Sequence, residues 1–200
     1  MSARDEILLR VRSALTGADI SEVQVPRGYR SRPAQKGLVD RFVERVEDYR
    51  ANVTRCAEPD LADTIAAALS PGATVVIPEG LPFEVDGTVD TGLSPAELDG
   101  FNAVVTTATI GIAETGTIVL THGTGEGRRA LSLVPDLHLC VVRADQIVPD
   151  VPDAVALLDS HSNAGRPQTW ISGPSATSDI ELIRVEGVHG PRALHVILVS

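Results

Sequence analysis

Apolar positions follow two rhythms along this chain, and the change falls near residue 52. Over residues 3–15, Ile7, Leu8, Val11 and Leu15 fall on one helical face. Ser2 stands where an N-cap belongs and Gly17 where a helix stops. Residues 38–51 repeat the pattern with Leu38, Phe42, Val43 and Val46. Between these helices, residues 16–37 are polar and interrupted by Pro26, Gly28, Pro33 and Gly37, which reads as a long irregular connection. Beyond it, short apolar runs alternate with helical segments. The runs predict strands at 53–57, 73–77, 103–107, 117–121, 137–142, 169–172 and 193–199. The intervening segments predict helices at 59–69, 94–98 and 151–160.

Strands separated by helices, several of them apolar throughout, predict an α/β fold: a layered mixed sheet with helices on both faces. The stretch 103–142 holds more strands than a simple βαβ repeat, so part of its pairing is expected to be antiparallel. Residues 1–52 are read as an N-terminal helical arm and residues 53–200 as one α/β domain. A helix as short as 3–15 is marginal alone in water. Its stripe is therefore expected to dock on the main domain or on a second copy of the chain, which makes a homo-oligomer an expectation.

Composition narrows the classes. The 200 residues hold 17 Lys plus Arg against 27 Asp plus Glu, a formal net charge of −10. That balance and an aromatic share of 3% argue against a nucleic-acid binder. No run of apolar residues is long enough for a membrane span. The first residues carry no apolar signal core, so a cytoplasmic protein is expected. Cys56 and Cys140 stand far apart and form no CxxC motif. They are expected to be reduced, buried thiols, and no metal or cofactor is expected to be held by this chain alone.

Four segments could carry chemistry. Gly125-x-Gly127-x-x-Ala130 follows an apolar strand as a dinucleotide fingerprint would. Pro135 and the strand at Leu137 leave no room for the crossover helix, so a mobile glycine-rich loop is the expectation. Arg128 and Arg129 behind it have the guanidinium fork that clamps phosphate or carboxylate. The second segment, IAETGTIVL at 112–120, sets Glu114, Thr115, Gly116 and Thr117 at a strand entry. It is either a tight turn or a place where Glu114 reaches a cleft. The third, ISGPSATSDIE at 171–181, gathers Ser172, Gly173, Ser175, Thr177 and Asp179 between a strand end and a helix start. Ser178 and Glu181 fit a capping box there, yet open α/β sheets bind ligands at such places. The fourth, GVHGPR at 187–192, puts His189 in a Gly–Pro turn beside Arg192. Asp179, Glu181 and His189 have donor types that suit a metal, but their spacing is not diagnostic, and no metal site is assigned.

IAETGTIVL, RRALSLVPDLHLCVV at 128–142, ISGPSATSDIE and GVHGPRALHVILV at 187–199 together resemble the LUD-domain family. The resemblance covers roughly residues 50–200. It implies a fold similar to ribose-5-phosphate isomerase and CoA transferases. It also implies a part in oxidising L-lactate to pyruvate beside an iron–sulfur partner and a cysteine-rich one. This chain lacks the cysteines for clusters, so its implied role is an accessory or ligand-binding subunit for a small anionic ligand. The alternatives are a stand-alone enzyme acting on a small phosphorylated or CoA-linked substrate, and a non-catalytic assembly protein. CoA transferases of similar fold use a glutamate followed closely by glycine, which Glu114-Thr115-Gly116 resembles on the surface. Glu114 and His189 are the catalytic candidates; Thr115, Gly116, Thr117, Arg128, Ser172, Gly173, Ser175, Thr177, Asp179 and Arg192 are the ligand-binding candidates.

Overall fold

A computed structural model of the protein describes residues 2–19, 25, 36–160, 165–177, 185–187 and 189–200. The chain divides into two compact units, residues 1–30 and 31–200. The first contains α1 (Ala3–Ala14), opened by a capping box in which Ser2 Oγ accepts from the Asp5 N–H and the Asp5 carboxylate accepts from the Ser2 N–H. None of its residues is buried.

In the second unit the elements run α2 (Leu38–Asp48), β1 (Asn52–Cys56), α3 (Leu61–Ala68), β2 (Val75–Ile77), β3 (Thr88–Val89), α4 (Pro95–Leu98), β4 (Ala103–Thr107), β5 (Ile110–Ile112), β6 (Thr117–Leu120), β7 (Leu137–Arg143), β8 (Ile147–Val148), α5 (Val151–Ser160), β9 (Thr169–Ile171), β10 (Ala176–Thr177), β11 (Val185–Glu186) and β12 (Ala193–Val199). A six-stranded sheet has the order β1-β12-β7-β4-β2-β3, and every neighbouring pair in it is parallel. A four-stranded sheet, β8-β5-β6-β9, supplies the antiparallel pairs expected in the middle of the chain, β5 with β6 and β6 with β9. β10 and β11 form a separate antiparallel pair.

The parallel sheet is apolar on both faces, as its unbroken hydrophobic runs require. On one face Val105, Leu139, Val141, Ile197 and Val199 pack with Leu61 and Ile65 of α3. On the other, Cys140, Val142, Leu194, Val196 and Leu198 meet Phe42, Val43 and Val46 of α2 together with Ile118 and Leu120 of β6. Phe42 is fully buried there, which stabilises the fold by roughly 2–3 kcal/mol. The second sheet turns its far face to α5, where Ile110, Ile112 and Val119 enclose Ala154 and Leu158. The layers are therefore α3, the parallel sheet, α2 with the mixed sheet, and α5. Helices lie on both faces of the sheet, in agreement with the expected class.

Residues 178–184, with the proposed capping box and Asp179, lie outside the described residues, as do Arg27, Arg30, Arg32 and His161. Among the described residues, no helix is long and apolar enough to cross a membrane.

Candidate functional site

Chemistry concentrates where β9, the start of β10 and the turn before β12 come together over the parallel sheet. Residues 169–176 and 189–191 line a cavity of about 290 Å³, closed on its other sides by Arg129, Ser132, Leu133, His138 and Leu194. Its volume is at the small end of the ~300–1,000 Å³ typical of small-molecule sites. Ser172, Gly173, Ser175 and His189, predicted from separate motifs, do meet here. Ser175 stitches the two walls. Its N–H donates to the Pro191 carbonyl at 2.9 Å, its carbonyl accepts from Gly187 N–H at 2.9 Å, and its Oγ accepts from His189 N–H at 3.2 Å.

Glu114, Thr115 and Gly116 do not line the cavity. Thr117 is tied to it by hydroxyls: Thr115 Oγ1 lies 2.7 Å from Thr117 Oγ1, which lies 2.8 Å from Ser172 Oγ. Glu114 is exposed on the turn between β5 and β6, where its N–H donates to the Pro149 carbonyl. Two candidate glycines are explained by α2. Gly116 (φ +61°) and Gly173 (φ +85°) would place a Cβ 2.6 Å from the Arg45 carbonyl carbon and 2.5 Å from Tyr49 Cβ. Any side chain would force both turns off the end of that helix.

The arginines sort by partner. Arg128 is committed to a bidentate pair with Asp90, Nε to Oδ2 at 2.6 Å and Nη2 to Oδ1 at 3.0 Å, and it also donates to the Leu93 carbonyl. That guanidinium holds the Asp90 carboxyl below the usual carboxylate range. Arg192 is likewise paired, with Asp136, from Nε to Oδ1 at 2.9 Å. Neither is free to clamp a ligand as expected. Arg129, next to Arg128 in sequence, lines the cavity instead and has no ion-pair partner among the described residues.

Nor does the glycine-rich loop hang free. The Gly125 N–H donates to the Glu79 carbonyl and its carbonyl accepts from Thr107 N–H. Glu126 is buried in the loop, accepting from Thr121 N–H at 2.6 Å, Gly123 N–H at 3.3 Å and the Thr109 and Thr121 hydroxyls. Backbone strands on either side therefore fasten what the glycine content suggested was mobile. The following segment is a 3₁₀ turn, Arg129–Ser132, too short for a dinucleotide-binding helix.

His138 is the residue that sequence reasoning missed. It stands at the inward-facing period-2 position of β7 shared by Cys140 and Val142, inside a run that the hydrophobic pattern marks only as a strand. It is 1% exposed, lines the cavity, and has Nε2 2.8 Å from Thr106 Oγ1. Burial pushes its pKa down to about 4, so the ring is neutral at pH 7. Burial also pushes the Cys140 thiol up to about 12. The signal was available: one polar side chain in LHLCVV occupies a core position, where it must find a partner or a ligand. Thr169 and Trp170 escape motif reading because they sit beside the segments that stand out, whereas Arg129 is one of the two arginines expected to clamp an anion.

Residues 95–199 match the family model of the LUD domain. The chain belongs to the LUD-domain family. A lactate utilization protein C of Deinococcus radiodurans is 44% identical over 204 residues, which span 99% of this chain and 96% of that protein. Another of that name, from a Geobacillus species, is 36% identical over 103 residues, covering 50% of this chain and 42% of that protein. The solved structure of a DUF162 family protein from Deinococcus radiodurans superposes with a TM-score of 0.72 at 42% identity, covering 84% of this chain and 100% of that one. Every residue lining the cavity lies inside the matched LUD segment. Among the described residues of this LUD protein, no group of three His, Cys, Asp or Glu side chains is placed to hold a metal ion.

Proposed function

We propose that this LUD protein serves lactate utilization in the cytoplasm as a ligand-binding subunit, beside iron–sulfur and cysteine-rich partners, and that the 290 Å³ cavity receives a small carboxylate. The observation that carries this reading is the convergence of Arg129, an arginine with no ion-pair partner among the described residues, with Ser172, Ser175 and His189 on one small cavity. A guanidinium without an ion pair among the described residues is free to take a carboxylate in two hydrogen bonds. The hydroxyls and the His189 ring supply polar contacts that orient a ligand of few atoms. The names of the relatives from Deinococcus and Geobacillus direct the choice of ligand to lactate and compounds like it.

Calorimetric titration of the purified full chain with L-lactate tests this. Binding is expected, and Arg129→Gln is expected to weaken it about tenfold or more while leaving the unfolding midpoint in place. Equal binding by wild type and Arg129→Gln would remove the cavity from the reading. Oxidation of lactate by the isolated chain with an artificial acceptor would replace a subunit with a stand-alone enzyme.

A further inference from the structure

Three buried groups below the cavity form a chain of hydrogen bonds with a direction. The Cys140 thiol, held protonated by burial, donates to the Thr107 carbonyl at 3.7 Å, a group that can only accept. Its sulfur then accepts from the Thr106 hydroxyl, also at 3.7 Å. Thr106 Oγ1 also lies 2.8 Å from His138 Nε2, and with the hydroxyl proton turned to sulfur it accepts from that nitrogen. In this arrangement His138 carries its proton on Nε2, and Nδ1 keeps a bare lone pair. Nδ1 has no partner among the described residues, although the ring is almost wholly buried and lines the cavity. A buried acceptor left unpaired costs roughly 1–3 kcal/mol, so a nitrogen in this position is best explained by something that arrives to satisfy it.

From this we infer that the cavity selects a small carboxylate that also carries a hydroxyl, and discriminates against the matching oxo acid. The hydroxyl donates to His138 Nδ1 while the carboxylate meets Arg129. An oxo oxygen in the same place would set one lone pair against another. An acid with neither group would leave Nδ1 as it is. This rests on the reading of the cavity as a carboxylate site, and adds to it which oxidation state of the ligand is held. Cys140 and Thr106 act as positioning residues: they touch no ligand, and they decide which ring nitrogen bears the proton.

Two measurements on the full chain test the inference. The first needs no ligand. Long-range ¹H–¹⁵N correlation on histidine-labelled protein at pH 7 should show His138 as the Nε2–H tautomer, and an Nδ1–H tautomer would overturn the proposal. The second is calorimetry with L-lactate, pyruvate and propionate. Lactate should bind on the order of 10–100-fold more tightly than either of the others, the ratio expected for one buried hydrogen bond made or missed. Thr106→Val removes the acceptor from Nε2 and releases the tautomer, so the preference over pyruvate should collapse toward unity or reverse. If the three acids bind within about threefold of one another, the selectivity is refuted while the carboxylate site stands. If none binds, both fall together.

Discussion

His122 holds Thr169 in the cavity wall, with Nε2 2.8 Å from Thr169 Oγ1, while its Nδ1 lies 2.9 Å from the Gly127 carbonyl. A carbonyl only accepts, so the ring proton sits on Nδ1 and Nε2 accepts from the threonine hydroxyl. His122 does this from φ +57°, a backbone conformation that costs a side-chain-bearing residue roughly 1–2 kcal/mol. His122→Ala loses both bonds and keeps the strain, so a loss of about 2 kcal/mol is expected. His122→Gly loses the same bonds but relaxes the backbone, and should be the more stable of the two by up to about 1 kcal/mol. Urea midpoints of the two variants decide it; a glycine variant less stable than the alanine one contradicts the account.

Glu126 makes a second, sharper contrast. One of its oxygens takes the N–H groups of Thr121 and Gly123, and the other meets the Thr109 hydroxyl. Glu126→Gln keeps an oxygen for the backbone and turns an amide toward a hydroxyl able to accept it. Its cost should stay near 1 kcal/mol. Glu126→Ala leaves the buried Thr121 N–H and the part-buried Gly123 N–H unpaired and should cost roughly 2–4 kcal/mol, with the glycine-rich loop opening to hydrogen exchange. Similar losses for both variants would show that the carboxylate is not the anchor.

Much of the fold was legible because its strands are buried on both faces. ALHVILV and LHLCVV are hydrophobic runs with one possible fate, and they became β12 and β7. Short strands escaped notice for a local reason. β5 is Ile-Gly-Ile, with Gly111 under the Phe42 ring, and three residues give no period to read. The site was half legible. Motif reading found Ser172, Gly173, Ser175 and His189, because turn and hydroxyl residues between apolar runs stand out. It also picked Arg128 and Arg192, whose charges are spent on Asp90 and Asp136, partners 38 and 56 positions away that no local pattern reveals. It passed over His138, although one polar side chain at a core position of an otherwise apolar strand must find a partner or a ligand.

The two committed arginines should also differ in energy. Asp90 has a side chain only 6% exposed, against 40% for Arg128, whereas Asp136 and Arg192 are 60% and 65% exposed. Double-mutant cycles with Asp90→Asn and Arg128→Gln should give a coupling of about 1–2 kcal/mol, moderated by solvent around the guanidinium. The same cycle on Asp136 and Arg192, both open to solvent, should return a clearly smaller coupling. The Asp90 contribution is present above its unfolded carboxyl range and is lost as pH falls through the lower folded value. Arg128→Gln should therefore flatten the acid limb of stability. Equal couplings for the two pairs would show that burial of the carboxylate is not what separates them.

His138 sets a further dependence on pH, at higher values. Its folded pKa of about 4 lies below the ordinary 6.5 because the charged ring would be desolvated. Above pH 6.5 the imidazole is neutral in both folded and unfolded chains, and its contribution to stability is fully present. Between pH 6.5 and about 4 the unfolded chain takes up a proton that the fold refuses, so stability drops with falling pH. The loss is at most about 3 kcal/mol when complete. His195, half-buried against Thr54, is shifted in the same direction and adds a smaller share. Urea unfolding from pH 7.5 to 4.5 should show this slope in the wild type and a shallower one in His138→Gln, whatever the stability of that variant at pH 7. In the wild type, the His138 ring should stay neutral by NMR at pH 5, where an exposed histidine is already charged. A His138 resonance that titrates near 6.5 would mean that the ring meets water, and would take with it the bare Nδ1 on which the selectivity for a hydroxyl depends.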